Sequence, residues 1–455
     1  MTTPSLSRRR APLALLLAVL PALLLVLPAA VRTPGGAAPV ASAAAAETRS
    51  CAWTLQIAGD QVNALFPDQA ARYWVAFVPL PPGGRAEITG SFPHARYLSF
   101  NTYTVQTQAI DAIHDAQIVP DAGSRNPYLA GARRDVRKRD YTVSVVNAQR
   151  PATGAPANTI YMTNVDGSKT SAGYATIAER IYEPDHGRSR TGDAGLPAVR
   201  TFAADGTPLV TYPSCPDTSL PDLGYTPVLA GAGPAQSLSA LLGLPSVVAP
   251  AEVRWHKYVN LQTTAADQLT ENELTAALNG PLRSFTEENF PTGGFGENVD
   301  NKYIYALVSA DHGPVLVLRG TLPTFVATQD GQKRFGRGQL RYWSMCTENA
   351  ATAYYACLTD DQIPIDAQRR YTLVVSTAAA RPSVAIARCG VAWLPLGPLP
   401  QAALLLRNML PSPGFREAVQ NVDPGSEREQ MGRYYPRARY YASPQAASRA
   451  IGCSR

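Results

Sequence analysis

No two cysteines of this chain stand in a Cys-x-x-Cys pair, and neither His-Glu-x-x-His nor His-x-His occurs. The spacings used by zinc sites, dithiol redox sites and metal-binding jelly rolls are therefore missing. A Gly-x-Ser-x-Gly elbow and a Gly-x-x-x-x-Gly-Lys loop are absent too. These gaps argue against the common hydrolase, zinc and nucleotide classes. Gly293-Gly294-Phe295-Gly296 is a flexible turn without a Gly-anchored helix behind it, so it is not a nucleotide loop. Lysine is confined to Lys138, Lys169, Lys257, Lys302 and Lys333, and arginine supplies nearly all the positive charge.

The basicity itself is mostly a targeting device. Arg8-Arg9-Arg10 precede an uncharged run from Ala11 to Val31, and Ala41-Ser42-Ala43 offers small residues for a signal peptidase. This pattern predicts a signal peptide over 1–43, cut after Ala43, with no membrane span left behind. That segment holds Arg8, Arg9, Arg10 and Arg32 and no acid, so the formal charge of +6 falls to +2 without it. Arg133-Arg134-Asp135-Val136-Arg137-Lys138-Arg139 is the one dense basic run, read as a solvated loop, and nothing supports nucleic-acid binding. The chain's 6 cysteines, in an exported protein, read as disulfides. Cys346 and Cys357 fall near one hairpin register with Arg341 and Asp360, which predicts their bridge. Cys389–Cys453 and Cys51–Cys215 follow by elimination and proximity.

Two stretches of the chain align with each other. Arg96-Tyr97-Leu98-Ser99 is followed 19 residues after its arginine by Asp115, then by Gln117-Ile118. Arg341-Tyr342-Trp343-Ser344 is followed at the same 19-residue distance by Asp360, then by Gln362-Ile363. Arg139-Asp140-Tyr141-Thr142-Val143 answers to Arg369-Arg370-Tyr371-Thr372-Leu373, and Arg180 stands before Pro184 as Arg407 does before Pro411. A register this persistent marks a repeated unit. The repeated segments are rich in aromatic and β-branched residues and are bounded by Pro and Gly, so they read as strands. The expected fold is mainly β: two tandem antiparallel β-sandwich or jelly-roll-like units, at 44–215 and 298–455. A helical connector is expected at 216–297, with helical periodicity over 237–242 and 251–280. One more short helix is expected from Ser412-Pro413 to about Asn421. The first unit carries 15 extra residues between Asp121 and Tyr141, a surface loop where function often resides.

The strand Arg96-Tyr97-Leu98-Ser99-Phe100-Asn101-Thr102-Tyr103, the later Asn126-Pro127 and the closing Arg180-Ile181-Tyr182-Glu183-Pro184 resemble the bacterial paired domains of unknown function, type 1254/1214. So do Arg341-Tyr342-Trp343-Ser344-Met345, Trp393-Leu394-Pro395 and Leu406-Arg407-Asn408-Met409-Leu410-Pro411 in the second unit. The resemblance covers most of both units but not the connector. It implies β-sandwich domains beside helices and transfers no catalytic residue. The second unit also lacks the Asn-Pro pair.

Side chains present in both units are expected to brace the scaffold. Arg96 with Asp115, and Arg341 with Asp360, then read as cross-strand ion pairs, and Arg180 and Arg407 as edge braces. Residues confined to one unit are the functional candidates. His94, Asp111, His114 and Asp115 form an expected acid–base cluster, with Arg96, Asn101 and Tyr103 as substrate-binding neighbours. Bland roles for the two histidines, and a divalent metal between them, are the competing readings; no cofactor is expected. In the second unit Glu348, Asn349, Asp360 and Asp361 form a carboxylate cluster or a solvated hairpin tip. The expected function is an exported hydrolase or lyase acting on a polar ligand, such as a polysaccharide. The alternative is a non-catalytic binding or cell-envelope protein.

Overall fold

A computed structural model describes residues 47–60, 63, 65–171, 173–217, 249–260, 293, 296–349 and 353–453. The leader 1–43 and the expected helical stretches 237–242 and 261–280 lie outside these residues.

Alternation of inward and outward residues builds most of the structure. In the segment Asp140–Gln149, Tyr141, Val143 and Val145 are buried while Thr142 and Ser144 are partly exposed. This is the period-2 pattern of a sheet with one covered face. The first half contains β1 (Glu47–Thr48), β2 (Trp53–Ile57), β3 (Ala71–Pro79), β4 (Arg85–Ser91), β5 (Ala95–Tyr103) and β6 (Ala109–His114). It continues with β7 (Asp140–Gln149), β8 (Thr159–Thr163), β9 (Tyr174–Pro184), β10 (Ala198–Phe202) and β11 (Pro208–Tyr212). The second half contains β12 (His256–Lys257), β13 (Asn301–Ser309), β14 (Val315–Thr321), β15 (Tyr342–Glu348) and β16 (Tyr354–Thr359). Then come β17 (Arg370–Ser376), β18 (Val391–Pro395), β19 (Gln401–Met409), helix α1 (Glu427–Gln430), β20 (Arg437–Tyr441) and helix α2 (Pro444–Ile451).

The fold is mainly β, in four sheets. The first half has the sheets β2-β3-β9-β5-β6 and β1-β11-β10-β4-β7-β8, and the second has β12-β13-β19-β15-β16 and β18-β17-β14-β20. Strand orders largely correspond: β8-β7-β4-β10 matches β18-β17-β14-β20, the two five-stranded sheets match strand by strand, and β1 and β11 have no counterpart among the named strands of the second half. Pairing is antiparallel except at β1–β11, β7–β8 and β17–β18, where parallel neighbours depart from the all-antiparallel expectation. One core gathers Trp53, Trp74, Phe92, Phe100 and Tyr141, and a second gathers Trp255, Trp343, Leu373 and Leu404. Cys51–Cys215, Cys346–Cys357 and Cys389–Cys453 are the three disulfides, and Cys346 sits directly opposite Cys357 in the β15–β16 register.

Two local expectations fail for identifiable reasons. Within the expected connector, residues 251–260 are not helical: Trp255 is buried in the second core and His256–Lys257 pair with β13. Tertiary burial overrides the helical periodicity there. The stretch 412–421 turns instead of coiling, ending in a 3-10 turn at Val419–Asn421 whose Val419 N–H donates to the side chain of Asn408.

The halves interlock through reciprocal contacts. Arg341 Nη1 donates to Asp115 Oδ1 at 2.8 Å, and Arg96 Nη1 donates to Asp360 Oδ1. The ion pairs therefore run between the halves, not within each as the sequence spacing suggested. Inside its own half each aspartate caps a strand instead: Asp115 accepts from Leu98 N, and Asp360 from Trp343 N, both at 2.9 Å. Tyr97 OH reaches Asn298 Oδ1 at 3.2 Å, and Tyr342 OH reaches Asp68 Oδ1 at 2.9 Å. Arg180 holds the carbonyls of Gly296 and Glu297, as Arg407 holds those of Phe66 and Pro67. Each half thus grips the loop that leads into the first long strand of the other. Tyr97, Tyr182, Tyr342 and Met409 pack between them, with Tyr182 and Tyr342 rings 5.3 Å apart.

Candidate functional site

The four residues expected to form an acid–base cluster do not converge. Asp111 and His114 lie three apart on β6, so their side chains leave opposite faces of the sheet. Asp111 is ion-paired with Arg150 and accepts from Tyr161 N at 3.1 Å; burial raises its carboxyl above the usual range. His114 stacks on Tyr97 and lies 3.3 Å from Asp300 Oδ2 of the second half. Burial opposes ionisation of Asp300, yet His114 and Tyr97 together hold it below the ordinary carboxylate range. His94 stands before β5, 3.3 Å from Arg139 Nη1. Burial, then Arg139, Arg188 and Arg134, push its imidazole down to about 4, so it is a neutral group at physiological pH. Asp115 is fully committed to Arg341 and Leu98.

The expected substrate-binding residues are committed as well. Asn101 accepts from Arg180 and Ser99, and Tyr103 OH donates to Glu297 O at 2.8 Å. Both lie on the same face of β5, where Tyr103 grips the second half's loop directly and Asn101 does so through Arg180. Glu348, on the equivalent face of β15, pairs with Arg407 at 2.9 Å, and burial pushes it up to about 7.

Arg96 leads to a different site. Its partner Asp360 sits in a 3-10 turn after β16, beside Asp361, and Glu183 is the last residue of β9 before its closing Pro184. Arg96 Nη2 lies 2.5 Å from Glu183 Oε2 and donates to Gln329 Oε1 at 2.8 Å. One oxygen from each of Glu183, Asp360 and Asp361 lies within 4.8 Å of the others. Above them opens a cleft of about 290 Å³ between the halves, lined by Gln69, Arg72, Glu183, His186, Arg188, Arg190, Gln329 and Asp361. That is near the lower end of small-molecule pocket sizes, about 300 Å³.

Three carboxylates surround one guanidinium here, and the other half offers the matched comparison. The equivalent Arg341 has its Asp115, but Leu410 stands in the place of Glu183 and Ala116 in the place of Asp361. Arg341 pairs with one aspartate and has Asp300 as a further charge in range, whereas Glu183 and Asp361 have no acidic counterpart at their equivalent positions. The left-handed backbone of Glu183, at φ 44°, is not part of that difference, since Leu410 has φ 43°. It belongs to the shared turn before proline.

The extra acids have unequal environments. Burial drives Glu183 well above the normal glutamic range despite Arg96, with Asp360 and a hydrogen bond to Asp361 adding to the rise. Burial likewise lifts Asp360 to about 6 against the pull of Arg96 and of Trp343 N–H. Asp361 is half-buried at the cleft floor and accepts from Thr359 Oγ1. A buried acid held well above the ordinary range therefore adjoins a solvent-reachable one, the environmental split that separates acid and base roles. The rim arginines are themselves anchored: Arg72 and Arg190 both pair with Asp60 at 2.8 Å, and Arg188 with Asp193 at 2.7 Å.

The doublet Asp360-Asp361 is visible in the sequence, whereas Glu183 is masked there by its place inside the Arg180–Pro184 motif. Comparing occupants of equivalent positions, Glu183 against Leu410 and Asp361 against Ala116, is the signal that finds them.

No family model matches the chain, and no curated protein matches it. Among solved structures it is similar to an uncharacterized protein from Burkholderia cenocepacia, at 12% identity and TM-score 0.42, over 85% of this chain and 81% of that one. It is also similar to a protein from Vibrio parahaemolyticus, at 11% identity and TM-score 0.36, over 83% of this chain and 90% of that one. Neither likeness bears on chemistry.

Proposed function

We propose that this is an extracytoplasmic hydrolase or lyase that works on a polar, hydroxyl-bearing substrate in the cleft between the halves. Glu183 is the general acid, giving its proton to the departing oxygen. Asp361 is the base, taking a proton from water in hydrolysis or from substrate carbon in elimination. Asp360 and Arg96 hold the pair in place, and Gln69 and Gln329 offer hydrogen bonds to hydroxyl groups. The observation that carries this reading is the excess of Glu183 and Asp361 at one of two otherwise matched junctions. The leader sequence and three disulfides support the compartment. Among the described residues no helix is long and apolar enough to cross a membrane. Membership in the 1254/1214 type of paired domains is part of the same proposal.

The test is turnover by purified mature protein on neutral and acidic polysaccharides, aryl glycosides and small esters. Glu183→Gln and Asp361→Asn should each lower kcat by roughly 10²-fold or more, the usual contribution of a general acid or base. Equal rates in the wild type and both variants would remove the cleft from the chemistry. Binding without turnover on every substrate would leave it a binding site and refute the enzyme reading.

A further inference from the structure

We infer that two long loops, one from each half, together form a basic binding face for a linear acidic polysaccharide. Each loop is an addition to the matched frame. In the first half β4 is joined to β5 by residues 92–94 alone, whereas the second half links β14 to β15 through residues 322–341. Conversely, the first half runs from Ile118 to Arg139 before β7, where the second has only 363–369 before β17. These two extra loops meet: Gly131 N donates to Phe335 O at 2.8 Å, Phe335 N to Ala132 O at 2.9 Å, and Arg134 N to Lys333 O at 3.0 Å. Arg133 and Arg334 pair as an antiparallel bridge.

The ribbon is held firmly from below. Tyr128 and Phe335 are buried with rings 5.4 Å apart, and Arg134 reaches Asp185 at 2.6 Å and Thr328 O at 3.0 Å. The exposed charges of the two loops are mostly basic, with Asp135 and Asp330 the exposed acids among them. Arg125, Arg137, Lys138, Lys333 and Arg337 are exposed and, among the described residues, carry no ion pair. Arg133 alone is matched, by Asp135 at 2.8 Å. A chain with net charge near +2 after leader removal therefore gathers unpaired cations where two loops unnecessary to the frame converge. Mutual repulsion there gives the fold nothing, and attraction of a polyanion is what such a patch supplies.

The choice of partner follows from what accompanies the charge. The ribbon's rings, Tyr128 and Phe335, are 2% and 3% exposed, so no aromatic face is free to stack on bases. Val119 and Leu129 are the large apolar side chains exposed on the two loops among the described residues, too little to hold a bilayer. Charge spaced along a chain, without base or lipid, is the feature it can read. The loop also supplies Gln329 to the cleft, so the ribbon and the cleft adjoin; the inference does not depend on cleft chemistry.

Binding of the mature protein to polygalacturonate, against neutral dextran, should weaken steeply with added salt. The charge reversal Arg125→Glu/Arg137→Glu/Lys138→Glu should weaken it by ~10-fold or more at low salt while leaving the melting temperature unchanged. Lys333→Glu/Arg337→Glu, on the other loop, is an independent second variant with the same expected direction. Arg388→Glu, which reverses an exposed cation outside both loops, should bind as the wild type does, which separates this face from general surface charge. Retention on dextran equal to that on polygalacturonate, binding confined to anionic vesicles or duplex DNA, or binding untouched by both charge reversals overturns the inference.

Discussion

Asparagine at position 115 tests whether the ion pairs really run between the halves. Asp115 is fully buried and accepts both Arg341 Nη1 and Leu98 N, while the Arg96 side chain two residues before Leu98 pairs with Asp360. Asp115→Asn keeps an acceptor for Leu98 N–H but leaves the Arg341 guanidinium, 9% exposed, without its counter-charge. Stripping one member from a buried pair destabilises by about 3–5 kcal/mol. Against a typical total of about 5–15 kcal/mol this is large but survivable. Urea unfolding of the mature, oxidised protein would measure it, combined with Arg341→Met and, separately, Arg96→Met. Asp115→Asn should couple to Arg341→Met by roughly 3 kcal/mol, because the second change removes the stranded charge. With Arg96→Met the effects should add to within about 0.5 kcal/mol, since the two side chains share no partner. Coupling to Arg96 with additivity toward Arg341 would restore the within-half pairing and refute the interlocked arrangement.

Other outcomes can be checked alongside. Burial lifts Glu348 to about 7 from its ordinary 4.5, so the native state binds the proton more tightly than the unfolded chain. Its contribution to stability is therefore greatest below about pH 4.5 and is lost as pH rises through 7, by about 3 kcal/mol in all. A pH series of unfolding free energies should show that decline flattened in Glu348→Gln. Removing the Cys51–Cys215 bridge, which spans 164 residues, should cost about 5 kcal/mol, against about 3 for Cys346–Cys357, which spans 11. The order of the two melting temperatures after paired Cys→Ser changes decides that point. The double variant His94→Ala/His114→Ala should lose roughly 1 kcal/mol of stability with the Tyr97 stack, yet keep full turnover. A 10²-fold drop in kcat would return catalysis to the histidines.

The fold was legible because period-2 burial and turn chemistry are local properties of the chain. The shared spacing of Arg96 to Asp115 and Arg341 to Asp360 falls on strands of the same order in two five-stranded sheets, and hairpin register placed Cys346 opposite Cys357. The same spacing misled on partners. Two matched halves can satisfy identical motifs within themselves or by exchange, and sequence distance does not distinguish these. Asp115 and Asp360 each stay close to their own strand through a backbone N–H while giving the remaining oxygen to the opposite half. The histidine cluster failed for a related reason. One-sidedness picked out His94 and His114, but β6 turns Asp111 and His114 to opposite faces, and Arg139 and Asp300 occupy the imidazoles. The cleft depends on a residue from each half, Glu183 and Asp361, which only the interlocked arrangement brings together.

The most direct measurement of the central claim is the pH dependence of kcat for the wild type beside Glu183→Gln and Asp361→Asn, on the best substrate of the panel. The expected wild-type rate falls on the alkaline side, as the buried acid finally loses its proton. Glu183→Gln should lower the rate by roughly 10²-fold and erase that alkaline fall, while Asp361→Asn lowers the rate by a similar factor and keeps it. Wild-type rates in both variants, with the alkaline fall intact in Glu183→Gln, would contradict the assignment.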